Sequence, residues 1–255
     1  ACHTRSTGPS AAELGVTAER LELTLAERAS FFAAAHQVDA ALELWHVQLA
    51  KPPQNLLEAY DQALALRAAV GVAVRTKDDP QLVLTLLERV KNGANLPPYA
   101  RLQAAAWVKQ ATAWKGERFS AASQPAGALF ARAKALVEAS PASRSVAPDD
   151  EHLVELQRAA GYLNRALALE PAAKWRGEAL YLLAVASVAA LDPELWQLDE
   201  LYLEACVHEN AHSRLAVRCV DRLADQTLYR HTFAGVANVP VEVGSRLGNL
   251  RALAQ

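Results

Sequence analysis

Several features are scarce or absent in this sequence of 255 residues. It has no Met and only 11 Gly and 12 Pro. Its longest uncharged, mainly apolar run covers 13 residues, 179–191, whereas a bilayer-spanning helix needs roughly 20. The 26 Lys and Arg nearly balance the 28 Asp and Glu, for a formal net charge of −2. The sequence therefore argues against a membrane-spanning helix and against a nucleic-acid partner, which would favour a basic excess.

Sequence motifs for common cofactors are also absent. There is no Cys-x-x-Cys-His haem attachment, no phosphate-binding glycine loop, no Gly-x-Ser-x-Gly elbow and no Rossmann fingerprint. These absences argue against a nucleotide or haem enzyme, and we expect no cofactor.

Helix-forming residues dominate the composition, with 54 Ala and 38 Leu. Lys51-Pro52-Pro53 interrupts one helical stretch, and Asp79-Pro80 has the pattern of a helix start, with a capping side chain followed by proline. One helix is predicted over 119–139, and the Ser- and Pro-rich segment 140–149 is predicted to be an exposed loop. We expect an all-α fold of ten to twelve helices, and no composition shift divides residues 11–255, which are predicted to be one helical-repeat domain.

The first ten residues are predicted to form a flexible tether, because they are polar and contain Gly8-Pro9. Residue 1 is not Met, so we expect that a segment before it has been removed or left out. Cys2 follows the small residue Ala1 and resembles the acylated cysteine of a bacterial lipoprotein, although mature lipoproteins begin at the cysteine itself. The resemblance implies a lipid anchor on Cys2 and helices outside the cytoplasm. An ordinary terminal cysteine is the alternative.

The spacing of small and large residues is similar to that of the tetratricopeptide family. This family stacks antiparallel helix hairpins as an α-solenoid with a repeat of about 34 residues. The second-helix pattern matches at Ala159, Leu163, Ala166 and Pro171, and the next first-helix pattern at Leu180, Leu183, Ala184 and Ser187. The resemblance implies a scaffold that binds another protein on a concave surface and has no shared catalytic residues. A compact irregular bundle is the alternative fold.

The C-terminal third resembles helical-repeat lipoproteins of Gram-negative bacteria. The matching features are Cys206, Ala211-His212-Ser213 and Cys219, followed by a Gly/Val/Pro segment and a last helix. This resemblance implies a periplasmic protein anchored to the outer membrane. Nothing about activity follows from it, but together with the tetratricopeptide resemblance it leads us to expect a non-catalytic scaffold, or an accessory subunit of a bacterial cell-envelope complex.

A different function is suggested by His208-Glu209-Asn210-Ala211-His212, which has the form H-E-x-x-H. In zinc peptidases this spacing puts two imidazoles one helical turn apart on a helix, and the Glu serves as general base. A zinc-dependent hydrolase that uses His208, His212 and Glu209 is therefore the alternative function. The repeat register argues against it, because it puts Asn210 and Ala211 in the turn between two helices.

Cys206 and Cys219 lie 13 positions apart and allow three interpretations. If the chain is extracytoplasmic, the favoured one is a disulfide that joins the two helices of a hairpin. The others are a metal site shared with His208 and His212, at a spacing unlike known zinc sites, and two buried thiols. Since the chain has 3 Cys, Cys2 would have no partner left, which fits acylation.

Four of the five tryptophans fall in the repeat-like portion and are candidate partner-binding residues: Trp107, Trp114, Trp175 and Trp196. Aromatic side chains dominate both repeat cores and binding grooves. The sequence does not separate these two roles.

Overall fold

The computed structural model describes residues 23–91, 96–147, 149–187 and 198–255. These residues fold into eleven α-helices with one two-residue hairpin, so the prediction of an all-α fold is confirmed. The chain divides into two compact units, the first ending at Gly116 and the second beginning at Glu117. A single array of helical repeats can also be divided into two such units, because each repeat contacts only its neighbours. The single domain over 11–255 therefore stays a prediction, and the tether 1–10 lies outside the described residues.

The first unit contains five α-helices in its described part. They are α1 (Leu25–Ala34), α2 (Val38–Leu49), α3 (Leu56–Lys77), α4 (Pro80–Lys91) and α5 (Pro98–Lys115). Side-chain caps fix the starts of α1, α3 and α4. Asn55 accepts a hydrogen bond from the Glu58 N–H at the start of α3, and the Asp79 carboxylate accepts one from the Gln81 N–H at the start of α4. Each helix packs on the next one along the chain.

The second unit contributes six α-helices to the described residues. They are α6 (Ala126–Ala139), α7 (Leu153–Leu169), α8 (Arg176–Ser187), α9 (Leu198–Glu209), α10 (Arg214–His231) and α11 (Val241–Ala254). Short 3₁₀ helices cover Ala121–Ser123 and Pro141–Ser143. After α10, β1 (Thr232–Phe233) and β2 (Val236–Ala237) pair antiparallel around Gly235, whose φ of 80° is readily adopted by glycine.

Contacts between helices of the second unit follow the order of the chain. Each helix from α6 to α11 packs on its successor, and additional contacts join α6 to α8, α8 to α10 and α9 to α11. Apolar side chains fill the space between these helices. Leu129, Leu163, Leu183 and Leu203, from four successive helices, are each 0% or 1% exposed. The contacts of α6 with α8 and of α8 with α10 put these three helices side by side, so their outer surfaces are neighbours.

Candidate functional site

The structure places the candidate tryptophans in different environments. Trp107 and Trp114 lie on α5 and are 1% and 3% exposed, so both rings are in the core rather than in a groove. Trp196 lies outside the described residues. Trp175 is half-buried and directly precedes α8. Of the three described candidates, Trp175 is the one whose ring a partner could touch.

Trp175 belongs to an aromatic pair between two helices. Its ring stacks on Phe130 of α6, with the ring centroids 4.7 Å apart and the planes 15° from parallel. Both side chains are half-buried. Each ring therefore keeps part of its surface accessible while the other part packs, which holds the pair in a fixed position.

One turn further along α6, an ion pair continues the same line. Lys134 Nζ lies 2.7 Å from Glu178 Oε1 on α8, and both side chains are half-buried. The hydrogen bond and the charge of Glu178 raise the pKa of Lys134 above its ordinary value of 10.5. The ion pair links α6 to α8. Because both side chains are half-buried, one positive and one negative charge remain partly exposed at the surface.

A third contact extends the line to α10. The guanidinium carbon of Arg218 lies 4.0 Å from the centroid of the Tyr181 ring, which is a cation–π contact. Tyr181 is buried at 5% exposure, whereas Arg218 is exposed. We call the surface formed by these six side chains the α6–α8–α10 face: Phe130, Lys134, Trp175, Glu178, Tyr181 and Arg218.

The α6–α8–α10 face brings Trp175, Tyr181 and Arg218 together on one side of the second unit. Trp, Tyr and Arg are the residues most often found at the energetic centres of protein interfaces. Of the six residues, only Trp175 is a candidate from the sequence. The i, i+3 and i+4 spacing puts residues of the same helix on one side of it, which the sequence could have indicated. Which residues of different helices meet depends on how the hairpins stack.

A disulfide joins the hairpin of α9 and α10. Cys206 and Cys219 form this bridge, with their Cα atoms 6.3 Å apart, and both side chains are fully buried. Sulfurs joined to each other are not available as thiolate ligands for a metal. Cys2 lies outside the described residues.

The H-E-x-x-H segment crosses the end of a helix. His208 and Glu209 are the last residues of α9, whereas His212 has a φ of 59° in the following turn and donates its backbone N–H to the Leu253 carbonyl. Glu209 accepts two hydrogen bonds from Arg176, at 2.7 and 2.9 Å. A zinc peptidase site requires both imidazoles one turn apart on the same helix. Here His208 lies on α9 and His212 lies beyond its end, so this arrangement is absent. Within the described ranges no group of three or more His, Cys, Asp or Glu is arranged to hold a metal ion.

Every helix in the part of the chain that the structure describes is too short or too polar to cross a bilayer. No family model matches the sequence, and comparisons with curated proteins and with solved structures find no match.

Proposed function

We propose that this protein is a tetratricopeptide-like α-solenoid that binds another protein and performs no catalysis. The pattern of helix contacts supports the solenoid. Each helix of the second unit packs on the next, and contacts between helices two apart join α6 to α8, α8 to α10 and α9 to α11. Stacked helix hairpins have this pattern, because each hairpin contacts only its neighbours.

The observation that carries the proposal is the α6–α8–α10 face. Three alternate helices each contribute side chains to one row, and three different contacts link them: the Trp175 stack, the Lys134 ion pair and the Arg218 cation–π contact. A partner that lies across this row would meet rigid aromatic surface beside both charge signs. Affinity would come from burying the rings, and orientation from the charges.

The proposal places the protein in the bacterial cell envelope, as a periplasmic scaffold or an accessory subunit of an envelope complex. The disulfide supports a compartment outside the cytoplasm, because structural disulfides persist mainly in oxidising compartments. Attachment to the outer membrane through a lipid on Cys2 is part of the same proposal. It follows from the resemblance of the sequence to Gram-negative helical-repeat lipoproteins.

The test compares two charge reversals in full-length protein with a C-terminal tag, recovered from native membranes. Arg218→Glu alters the α6–α8–α10 face. Arg251→Glu makes the same change on α11, where Arg251 is exposed and pairs with no described carboxylate. We expect a partner that copurifies with the wild type to be reduced about 10-fold by R218E, since central interface arginines contribute most to binding. The R251E control should retain it within about twofold.

Equal retention by both variants, or equal loss, would contradict binding at this face.

Mass spectrometry of the same wild-type sample tests the lipid. The peptide that contains Cys2 should carry an acyl mass, and an unmodified Cys2 would contradict the anchor.

A further inference from the structure

An open cavity of about 610 Å³ lies between the second half of α10 and the segment after the 3₁₀ helix Pro141–Ser143. This volume is within the range of about 300 to 1,000 Å³ that is typical of sites for small molecules. The residues that shape its chemistry are Arg144, Ser145, Arg222, Asp225, Leu228 and Tyr229. All of them belong to the second unit and none is a member of the α6–α8–α10 face, although Arg222 lies near Tyr181 and Arg218 of that face.

Arg222 is the unusual member of this group. It is 7% exposed, and its guanidinium donates one hydrogen bond, from Nη2 to the Ala142 carbonyl at 3.1 Å. Its Nε is buried without a hydrogen-bond partner, as is the Nε of Arg158. Among the described residues no carboxylate is paired with the guanidinium, although the charges of Asp225 and Asp199 are near enough to raise its pKa. A buried cation with neither a directly bonded carboxylate nor a full set of hydrogen bonds is unfavourable, so it requires an explanation.

Arg158 shows how the same fold treats a buried arginine with a structural role. It is 2% exposed, and Glu117 accepts two hydrogen bonds from it, at 3.1 and 2.8 Å. Burial lowers the pKa of Arg158, but Glu117 and Tyr162 outweigh burial and the net shift is upward. For Arg222, burial lowers the pKa and the charges nearby do not restore it. Arg222 therefore lacks the hydrogen-bonded carboxylate that Arg158 has, and an anionic ligand could take that place.

We propose that this cavity binds a small organic carboxylate, with the carboxylate on Arg222 and Arg144 and an apolar body against Leu228 and Tyr229. The guanidinium fork matches the two oxygens of a carboxylate. Leu228 and Tyr229 are 48% and 51% exposed, which leaves apolar surface at the wall of the cavity for a ligand to cover. This inference does not rest on the proposed function.

The charges of the lining favour one negative charge on the ligand. Arg144 and Arg222 contribute +2 and Asp225 contributes −1, so the three charged residues that line the cavity sum to +1. A monoanion neutralises this sum. A phosphate ester carries about −1.5 to −2 near neutral pH, so it would leave a negative excess next to Asp225. The ligand is therefore a carboxylate rather than a phosphate.

The first experiment uses wild-type protein and three probes in isothermal titration calorimetry. Benzoate is an aromatic carboxylate, benzamide has the same shape without the charge, and phenyl phosphate carries the larger charge. We expect benzoate to bind at least about 10-fold more tightly than benzamide, because a hydrogen bond to a charged group is lost in the amide. Benzoate should also bind more tightly than phenyl phosphate.

Variants then assign the binding to Arg222. Arg222→Met keeps much of the volume and removes the unpaired charge, and replacing buried charges with apolar groups is often tolerated. It should weaken benzoate binding by about 10-fold or more. Arg214→Met is the matched control, because Arg214 is exposed on the same helix and does not line the cavity. Asp225→Asn should strengthen benzoate binding and should strengthen phenyl phosphate binding more, because the lining then sums to +2.

The outcomes separate clearly. Benzoate and benzamide binding equally well, or no benzoate binding to wild-type protein, would overturn the proposal. Tighter binding of phenyl phosphate than of benzoate would overturn the assignment to a carboxylate. Equal weakening by R222M and R214M would show that net charge, and not this cavity, attracts the anion. If R222M does not fold, weaker benzoate binding to the Asp225→Asn variant would refute the proposal on its own.

Discussion

Glu117 and Glu209 allow the energetic role of a buried ion pair to be measured within one unit of the protein. Glu117 accepts hydrogen bonds at 3.1 and 2.8 Å from Arg158, which is 2% exposed, and its carboxylate also lies 2.8 Å from Arg132. Glu117→Gln removes the negative charge and leaves Arg158 buried without a counter-ion. Breaking a buried pair in this way costs about 3 to 5 kcal/mol. Since the Glu117 side chain is 25% exposed, we expect a loss of about 3 kcal/mol.

Glu209→Gln is the matched control. Glu209 accepts two hydrogen bonds from Arg176, at 2.7 and 2.9 Å, so the same substitution again removes a carboxylate that one arginine binds twice. The donors are Nε and Nη2 in Arg176, and Nη1 and Nη2 in Arg158. The main difference is exposure, because the Arg176 and Glu209 side chains are 37% and 36% exposed. Glu117 also has a second arginine partner, Arg132. Exposed pairs contribute about 0 to 1 kcal/mol. Urea unfolding monitored by circular dichroism should give a clearly lower midpoint for E117Q and a nearly unchanged one for E209Q. Equal losses would refute the argument that burial decides the contribution.

The same pair predicts how stability depends on pH. Burial raises the pKa of Glu117, but the hydrogen bonds and charges of Arg158 and Arg132 outweigh burial, and the net pKa is below the ordinary 4.5. A carboxylate with a lowered pKa in the folded state stabilises the protein above its ordinary pKa. That contribution is lost as the pH falls through the lower, folded-state value. The difference in unfolding free energy between wild type and E117Q should therefore be largest near neutral pH and should shrink below about pH 4.5. A difference that stays constant with pH would contradict the ion pair.

Two further predictions concern the disulfide between α9 and α10 and the packing of α8 against the turn that joins them. Replacing Cys206 and Cys219 together with Ala should lower the free energy of unfolding by about 3 kcal/mol, because the bridge closes a loop of roughly 14 residues. Reduction of the wild-type protein should raise its mass by about two hydrogens, and an unchanged mass would contradict the bridge. Gly177→Ala should cost about 1 to 2 kcal/mol, because a Cβ there would lie 2.3 Å from Asn210 Nδ2, and overpacking outweighs the gain in helix propensity. Asn210→Ala should relieve that cost in the double variant, and an unchanged cost in urea unfolding would contradict the clash.

The existence of the helices could be predicted from the sequence better than their ends could. Asp79-Pro80 predicts the start of α4 correctly, because the signal is a local cap. The single helix predicted over 119–139 is wrong in its first part, where a 3₁₀ turn precedes α6. Pro125 explains the difference. It disfavours the helical conformation for the residue before it, and Gln124 accordingly has an extended backbone, with φ −91° and ψ 142°.

The candidate sites depend on contacts between residues far apart in the sequence, which a local pattern does not reveal. The segment 140–149 was predicted to be an exposed loop, yet Ser140 and Ala142 are 2% and 1% exposed. The Ser140 hydroxyl donates to Asp149 across the segment, and Arg222 reaches the Ala142 carbonyl from 80 residues away. Sequence alone gives Arg222 the same description as Arg158. The stacking of the helices pairs Glu117 with Arg158 and pairs no described carboxylate directly with Arg222, so the difference between a structural arginine and a candidate ligand-binding arginine arises only in the folded chain.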